Sequence, residues 1–197
     1  MRKAIIFDVG GVLLDYERAG MLEQIALLCQ ASVGADEIAK LIGEMDLSAG
    51  HETLEDFRTQ LEVRYGFAAS YDQLTRIWVQ GLNARAWVAP LLQRLSEQAD
   101  LHILSDTNLE HWSHIVDSIL PIGLFDGVYV SHELKMTKKE RHVFDHVLAD
   151  IPQAASQCLF VDDTLANVEV AQRTGLRTHH YTDRHEMLGA IEGHLGG

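Results

Sequence analysis

Four short apolar runs, at Ala4–Phe7, Leu101–Leu104, Val128–Val130 and Cys158–Val161, each break off into polar residues and then into a helical pattern. Runs of this length and abruptness predict strands buried on both faces of a parallel sheet. Arg177–Tyr181 is a fifth strand candidate. The segments between them have helical starts and periodicity, as where Pro90 opens a run containing Leu91, Leu92 and Leu95. Strand and helix alternate, so an α/β fold with right-handed crossovers is expected.

The interval 16–85 breaks that alternation. It offers no strand candidate but four amphipathic stripes: Leu22, Ile25 and Cys29; Ile38, Leu41, Ile42 and Met45; Leu54, Phe57 and Leu61; Leu74, Ile77 and Trp78. Thr53 with Asp56, and Ser70 with Gln73, have the spacing of capping boxes and mark two helix starts. The expectation is an α/β core of residues 1–15 and 86–197 interrupted by a helical insert, 16–85. Packed core accounts for nearly all of the stripe residues.

Composition narrows the class without choosing a chemistry. With 197 residues, 47% of them hydrophobic, and only 3 Pro, the chain can bury a core of its own. Cys29 and Cys158 lie in apolar stretches and read as two buried thiols in a reducing compartment. The first apolar run meets Asp8 too early for a secretory signal or a membrane span, so the expected location is cytoplasmic. A net charge of −13 with scattered Lys and Arg argues against nucleic acid. It argues only weakly against an anionic substrate, because a bound divalent cation and a lysine can set the local field.

In open α/β sheets the ligand crevice lies outside the carboxyl ends of the strands. Asp8 ends the first strand, Ser105 the second and Asp162-Asp163 the fourth, while Lys138 follows the third. Singly each has an ordinary explanation, as a cap, a turn residue or a surface charge. Together they supply a nucleophile, a hydrogen-bond donor for phosphate, a cation and a pair of metal ligands.

The run Phe7-Asp8-Val9-Gly10-Gly11-Val12-Leu13 resembles the first motif of the haloacid dehalogenase superfamily. Leu104-Ser105-Asp106 looks like the second motif, Lys138 falls at the lysine of the third, and Val161-Asp162-Asp163 through Asn167 to Gly175 looks like the fourth. The resemblance spans the whole chain and implies a Rossmann-like core with an inserted four-helix cap. In closer detail it is similar to small sugar-phosphate phosphatases, including the glucose-1-phosphate type, and to the phosphatase domain of soluble epoxide hydrolases. It implies a Mg²⁺-dependent phosphatase acting on a small phosphomonoester, a sugar phosphate in the first place, through an aspartyl phosphate on Asp8. Asp8, the Gly10 carbonyl and Asp163 would hold the metal, with Asp162 and Asn167 next to it or on its waters. Ser105 would donate to a phosphoryl oxygen and Lys138 would neutralise charge, with Asp106 and Asn108 beside them in the substrate site.

Two departures from the pattern stand out. Where most phosphatases of the superfamily carry a second aspartate as general acid this chain has Gly10, which favours substrates whose leaving group needs little protonation, such as an anomeric hydroxyl, an acyl phosphate or a phenol. At the third motif the chain reads Lys135-Met136-Thr137-Lys138-Lys139, leaving Lys135 and Lys139 as substitutes for Lys138. His51, in a polar turn of the insert, is a candidate replacement acid, and Asp15 and Tyr16 lie where the insert begins. His179-His180 has no zinc-like spacing. The competing readings are a catalytically silent relative that binds phosphate ligands, a metal-independent dehalogenase and a phosphoacceptor signalling domain.

Overall fold

The computed structural model describes residues 2–196. In chain order, β1 (Ala4–Phe7) leads through β2 (Leu14–Tyr16) into α1 (Ala19–Leu27), α2 (Ala35–Glu44), α3 (Leu54–Tyr65) and α4 (Tyr71–Val79), and β3 (Leu82–Ala84) leads out again. There follow α5 (Val88–Ser96), β4 (Asp100–Ser105), α6 (Leu109–Ser118), β5 (Gly127–Val130), α7 (Ser131–Leu134), α8 (Arg141–Asp150), β6 (Cys158–Asp162), α9 (Leu165–Gln172), β7 (Arg177–His180) and α10 (Arg184–Gly196).

The five main strands form a parallel sheet in the order β5-β4-β1-β6-β7, flanked by helices in the Rossmann-like manner. Phe7 on the central strand lies opposite Ile103 on one side and Val161 on the other. That register brings Asp8, Ser105 and Asp162 to the same end of the sheet. Because strand side chains alternate, Ile5 and Phe7 pack with Leu92 of α5 and Met187 of α10 on one face. Ala4 and Ile6 pack with Phe144 of α8 and Ala171 of α9 on the other.

The four inserted helices have a hydrophobic cluster of their own, containing Ile25, Ile38, Leu41, Phe57, Leu61 and Leu74. Both predicted capping boxes form: Thr53 Oγ1 accepts from the Asp56 N–H at 3.1 Å while Asp56 accepts from the Thr53 N–H at 2.8 Å, and Ser70 and Gln73 do the same at 3.2 and 2.9 Å.

Two expectations are corrected. Residues 16–85 do contain strand: β2 pairs with β3 as an antiparallel ribbon, Leu14 opposite Ala84 and Tyr16 opposite Leu82. Arg85 fixes this ribbon to the core by donating to Asp15 Oδ1 at 2.6 Å, and to the Val12 carbonyl and the Tyr181 hydroxyl at 2.8 Å each. Cys29 is only half-buried, whereas Cys158 is buried, and both are free thiols. Among the described residues no helix is long and apolar enough to cross a membrane.

Candidate active site

Asp8 follows the fully buried β1 directly, so its carboxylate emerges at the middle of the sheet edge and is itself almost buried. Lys138 Nζ lies 2.7 Å from Asp8 Oδ1 and 2.7 Å from Asp162 Oδ2, and the Val9 N–H donates to Asp8 Oδ1 at 2.7 Å. Burial pushes the Asp8 pKa up, and the charge of Lys138 offsets this only in part. Burial pulls the Lys138 pKa down, but the carboxylates of Asp8, Asp162 and Asp106 outweigh it and hold the ammonium charged.

Asp162 is completely buried and fully engaged. Besides Lys138, it accepts from the Thr164 N–H at 2.7 Å and from Asn167 Nδ2 at 3.2 Å. Asp163 differs: its side chain is exposed, and among the described residues it pairs with no cation. The His180 ring donates to the Asp163 carbonyl at 2.9 Å, which fixes the backbone beneath it. Gly11, at φ +75°, lets this carboxylate come close, since a Cβ there would sit 2.1 Å from Asp163 Oδ2.

Asp8, Asp162 and Asp163 bring oxygens within 4.8 Å of one another. A small hard cation that takes oxygen ligands at roughly 2.0–2.1 Å suits such a set. Asp8, Asp162 and Asp106 share the one charge of Lys138 and Asp163 pairs with no cation among the described residues, an arrangement whose mutual repulsion a divalent cation would relieve.

The other predicted site residues separate into those gathered here and those directed elsewhere. Ser105 is buried at the end of β4. Asp106 accepts from the Lys138 N–H at 3.1 Å, so it helps to position that lysine, and burial raises its pKa. Asn108 caps α6, its Oδ1 accepting from the His111 N–H at 3.0 Å and from the Trp78 indole at 3.3 Å. Of the three adjacent lysines only Lys138 reaches Asp8. Lys135 hydrogen-bonds the Gly50 carbonyl of the insert, and Lys139 is among the residues that line the Asp8 cavity. His51 pairs with Asp46 at 2.7 Å on an exposed turn. Asp15 is held by Arg85, while Tyr16 reaches the insert–core cavity.

Sequence reasoning missed the fastening between insert and core. His111 of α6 donates from Nε2 to the Trp78 carbonyl of α4 at 3.0 Å and stacks on the Trp78 ring with centroids 5.3 Å apart. The Ser131 hydroxyl accepts from the Thr107 N–H at 2.8 Å and donates to the Ser48 carbonyl. The one available signal was Asn108 with His111 in the first turn of a helix, which says nothing about a partner 30 residues away.

A family model described as haloacid dehalogenase-like hydrolase matches residues 2–175. A D-ribitol-5-phosphate phosphatase from Bacteroides thetaiotaomicron is 25% identical over 187 residues, covering 90% of this chain and 91% of the relative. A sesquiterpene phosphatase from Aspergillus oryzae is 27% identical over 186 residues, 92% of this chain and 90% of the relative. A solved structure of a haloacid dehalogenase family enzyme from B. thetaiotaomicron, in complex with magnesium and inorganic phosphate, superposes with a TM-score of 0.84 at 25% identity, over 95% of this chain and 99% of that one.

Proposed function

Because the chain belongs to the haloacid dehalogenase-like hydrolases, we propose that it is a Mg²⁺-dependent phosphatase that hydrolyses a small phosphomonoester through an aspartyl phosphate on Asp8. The observation that carries this reading is the buried Lys138 ammonium, held 2.7 Å from both Asp8 and Asp162 at the centre of the sheet edge. A nucleophilic carboxylate, a fixed cation and a convergent set of oxygen donors are what transfer of a phosphoryl group to an enzyme oxygen requires.

Asp8, the Gly10 carbonyl and Asp163 would hold Mg²⁺, with Asp162, engaged by Lys138, Asn167 and the Thr164 N–H, completing the set from behind. When bound, the ion supplies charge stabilisation on the phosphoryl oxygens and offsets the carboxylate excess. One Asp8 oxygen attacks phosphorus, a P–O bond forms to it, and the bond to the leaving oxygen breaks. Lys138 neutralises charge on Asp8 and on the phosphoryl group, and Ser105 donates to a phosphoryl oxygen. Water then hydrolyses the aspartyl phosphate, releasing inorganic phosphate and restoring Asp8. No residue at position 10 protonates the leaving oxygen, so esters with good leaving groups react best.

The substrate expected from sequence is a sugar phosphate, and similarity to a ribitol-phosphate phosphatase supports it. Similarity to a sesquiterpene phosphatase supports an apolar ester equally well. Phosphate release from sugar, aryl and alkyl phosphates, with and without Mg²⁺, tests the reading beside Asp8→Asn. Metal-dependent turnover that the substitution reduces to background is the expected result. Silence on every ester, with Mg²⁺ and phosphate still bound, would make the protein a silent relative instead.

A further inference from the structure

We propose, resting on the phosphatase reading of the Asp8 cavity, that the leaving group is apolar and occupies a second cavity between insert and core. This cavity measures about 240 Å³ and shares Asp106 with the cavity that contains Asp8, so the two are neighbouring compartments with a common wall. Ile42, Met45, Leu47 and Trp78 of the insert form one side, with Tyr16 of the ribbon beside them. Ile42 of α2 and Met45, just past its end, continue the apolar stripe and pack against the insert's cluster but are only half-buried, while Ile38 and Leu41 are fully buried in it.

Several polar groups of the wall already have partners, and Asp106 accepts from the Lys138 N–H. Asn108 Oδ1 accepts from the His111 N–H and the Trp78 indole, His111 Nε2 donates to the Trp78 carbonyl, and the Ser48 carbonyl accepts from Ser131. Arg18 and the Ser48 hydroxyl, both on exposed residues, also line the cavity and have no side-chain partner among the described residues. A polyol hydroxyl placed against Ile42, Met45, Leu47 or the Trp78 ring would be left without a partner, at a cost of at least about fivefold in affinity for each. A methylene taken out of water there gains about fourfold. The volume lies just below the roughly 300 Å³ at which pockets for drug-sized ligands begin, so the group is a single ring or a short chain.

The test uses n-alkylphosphonates from methyl to hexyl, which do not turn over, titrated calorimetrically into the full chain with saturating Mg²⁺. Their Kd should fall by about fourfold per methylene until the cavity is filled, and phosphonates bearing hydroxylated chains of equal length should bind more weakly. Ile42→Asn and Met45→Asn should flatten the dependence on chain length, a slope read within each variant and so insensitive to the amount of folded protein. A flat or rising Kd along the series, tighter binding of hydroxylated chains, or full slopes in both variants would overturn the proposal. Phosphate release from an aryl phosphate, run in parallel, tests catalysis separately. Falling Kd values without turnover would leave the apolar cavity standing and refute the phosphatase reading.

Discussion

On the reading that Gly10 leaves the departing oxygen without an acid, Gly10→Asp should extend the enzyme's range to ordinary alkyl esters. A Cβ built on Gly10 meets nothing within 4 Å, so the position has open space beside Asp8 and a side chain can enter it. The residues around that space are Asp8, Asp106, Lys138, Lys139, Thr164 and Asn167, and the two carboxylates among them are engaged, Asp8 with the Lys138 ammonium and Asp106 with the Lys138 N–H. A carboxyl added there meets the like charge of Asp8 and Asp106, which raises its pKa towards the protonated form an acid catalyst needs, and the opposing charge of Lys138, Lys139 and bound Mg²⁺. A positioned general acid is worth about 10² to 10⁴ in rate. Crowding by the neighbouring carboxylates argues for the lower end, about 10² on ethyl phosphate. With 4-nitrophenyl phosphate, whose leaving group needs no proton, kcat should change little. The assay is the ratio of kcat on the alkyl ester to kcat on the aryl ester, measured at saturating Mg²⁺ for both proteins. A variant that folds and cleaves the aryl ester normally, with the ratio unchanged, would refute the reasoning and show that another group already delivers the proton.

Two further outcomes follow from the geometry. Gly11→Ala should weaken Mg²⁺ binding at least about tenfold by calorimetry, because the new methyl displaces the Asp163 carboxylate, while the left-handed backbone costs roughly 1–2 kcal/mol in thermal unfolding. A loss of stability with Mg²⁺ affinity intact would show that Asp163 is not a ligand. His111 is buried and its pKa is pushed down to about 4, chiefly by desolvation, with His114 and Arg18 adding to the effect and the bond to the Trp78 carbonyl opposing it. Its folded pKa lies below the unfolded value, so the neutral ring's contribution to stability is present above about pH 6.5 and is lost as pH falls from there towards 4. Chemical denaturation should therefore find the wild type about 2 kcal/mol less stable at pH 5 than at pH 7 from this group alone. His111→Phe should remove that share of the pH dependence, and an unchanged difference between the two pH values would contradict it.

The strands of the main sheet were legible because they are buried on both faces and so consist of nearly unbroken apolar residues. β2 and β3 were not, since three residues with one buried position each show no alternation. The carboxylates at the strand ends were legible for the same reason as the strands: a charge that terminates a buried strand must emerge at the sheet edge. The choice among Lys135, Lys138 and Lys139 needed three dimensions, because the turn after α7 sends Lys135 to the insert and Lys138 to Asp8 while Lys139 only lines the cavity. The apolar cavity was hidden for a related reason. A helical stripe reads identically whether it faces the core or an open space, and Ile42 and Met45 share a stripe with Ile38 and Leu41 while differing from them in burial.

The β2–β3 ribbon brings the two ends of the insert side by side, with Leu14 opposite Ala84, and Arg85 clamps that crossing to the core. In engineering terms this is a socket. A foreign segment of different length whose ends meet the same ribbon register adds little loop-closure entropy, since that cost grows only slowly with length. Such a graft leaves β1, Asp8 and Lys138 in place and exchanges the walls around the leaving group. Its weak points would be the two fastenings that the ribbon does not provide, Trp78 on His111 and Ser48 on Ser131, and a transplant that reproduces both should keep the core's chemistry while taking on the donor's choice of substrate.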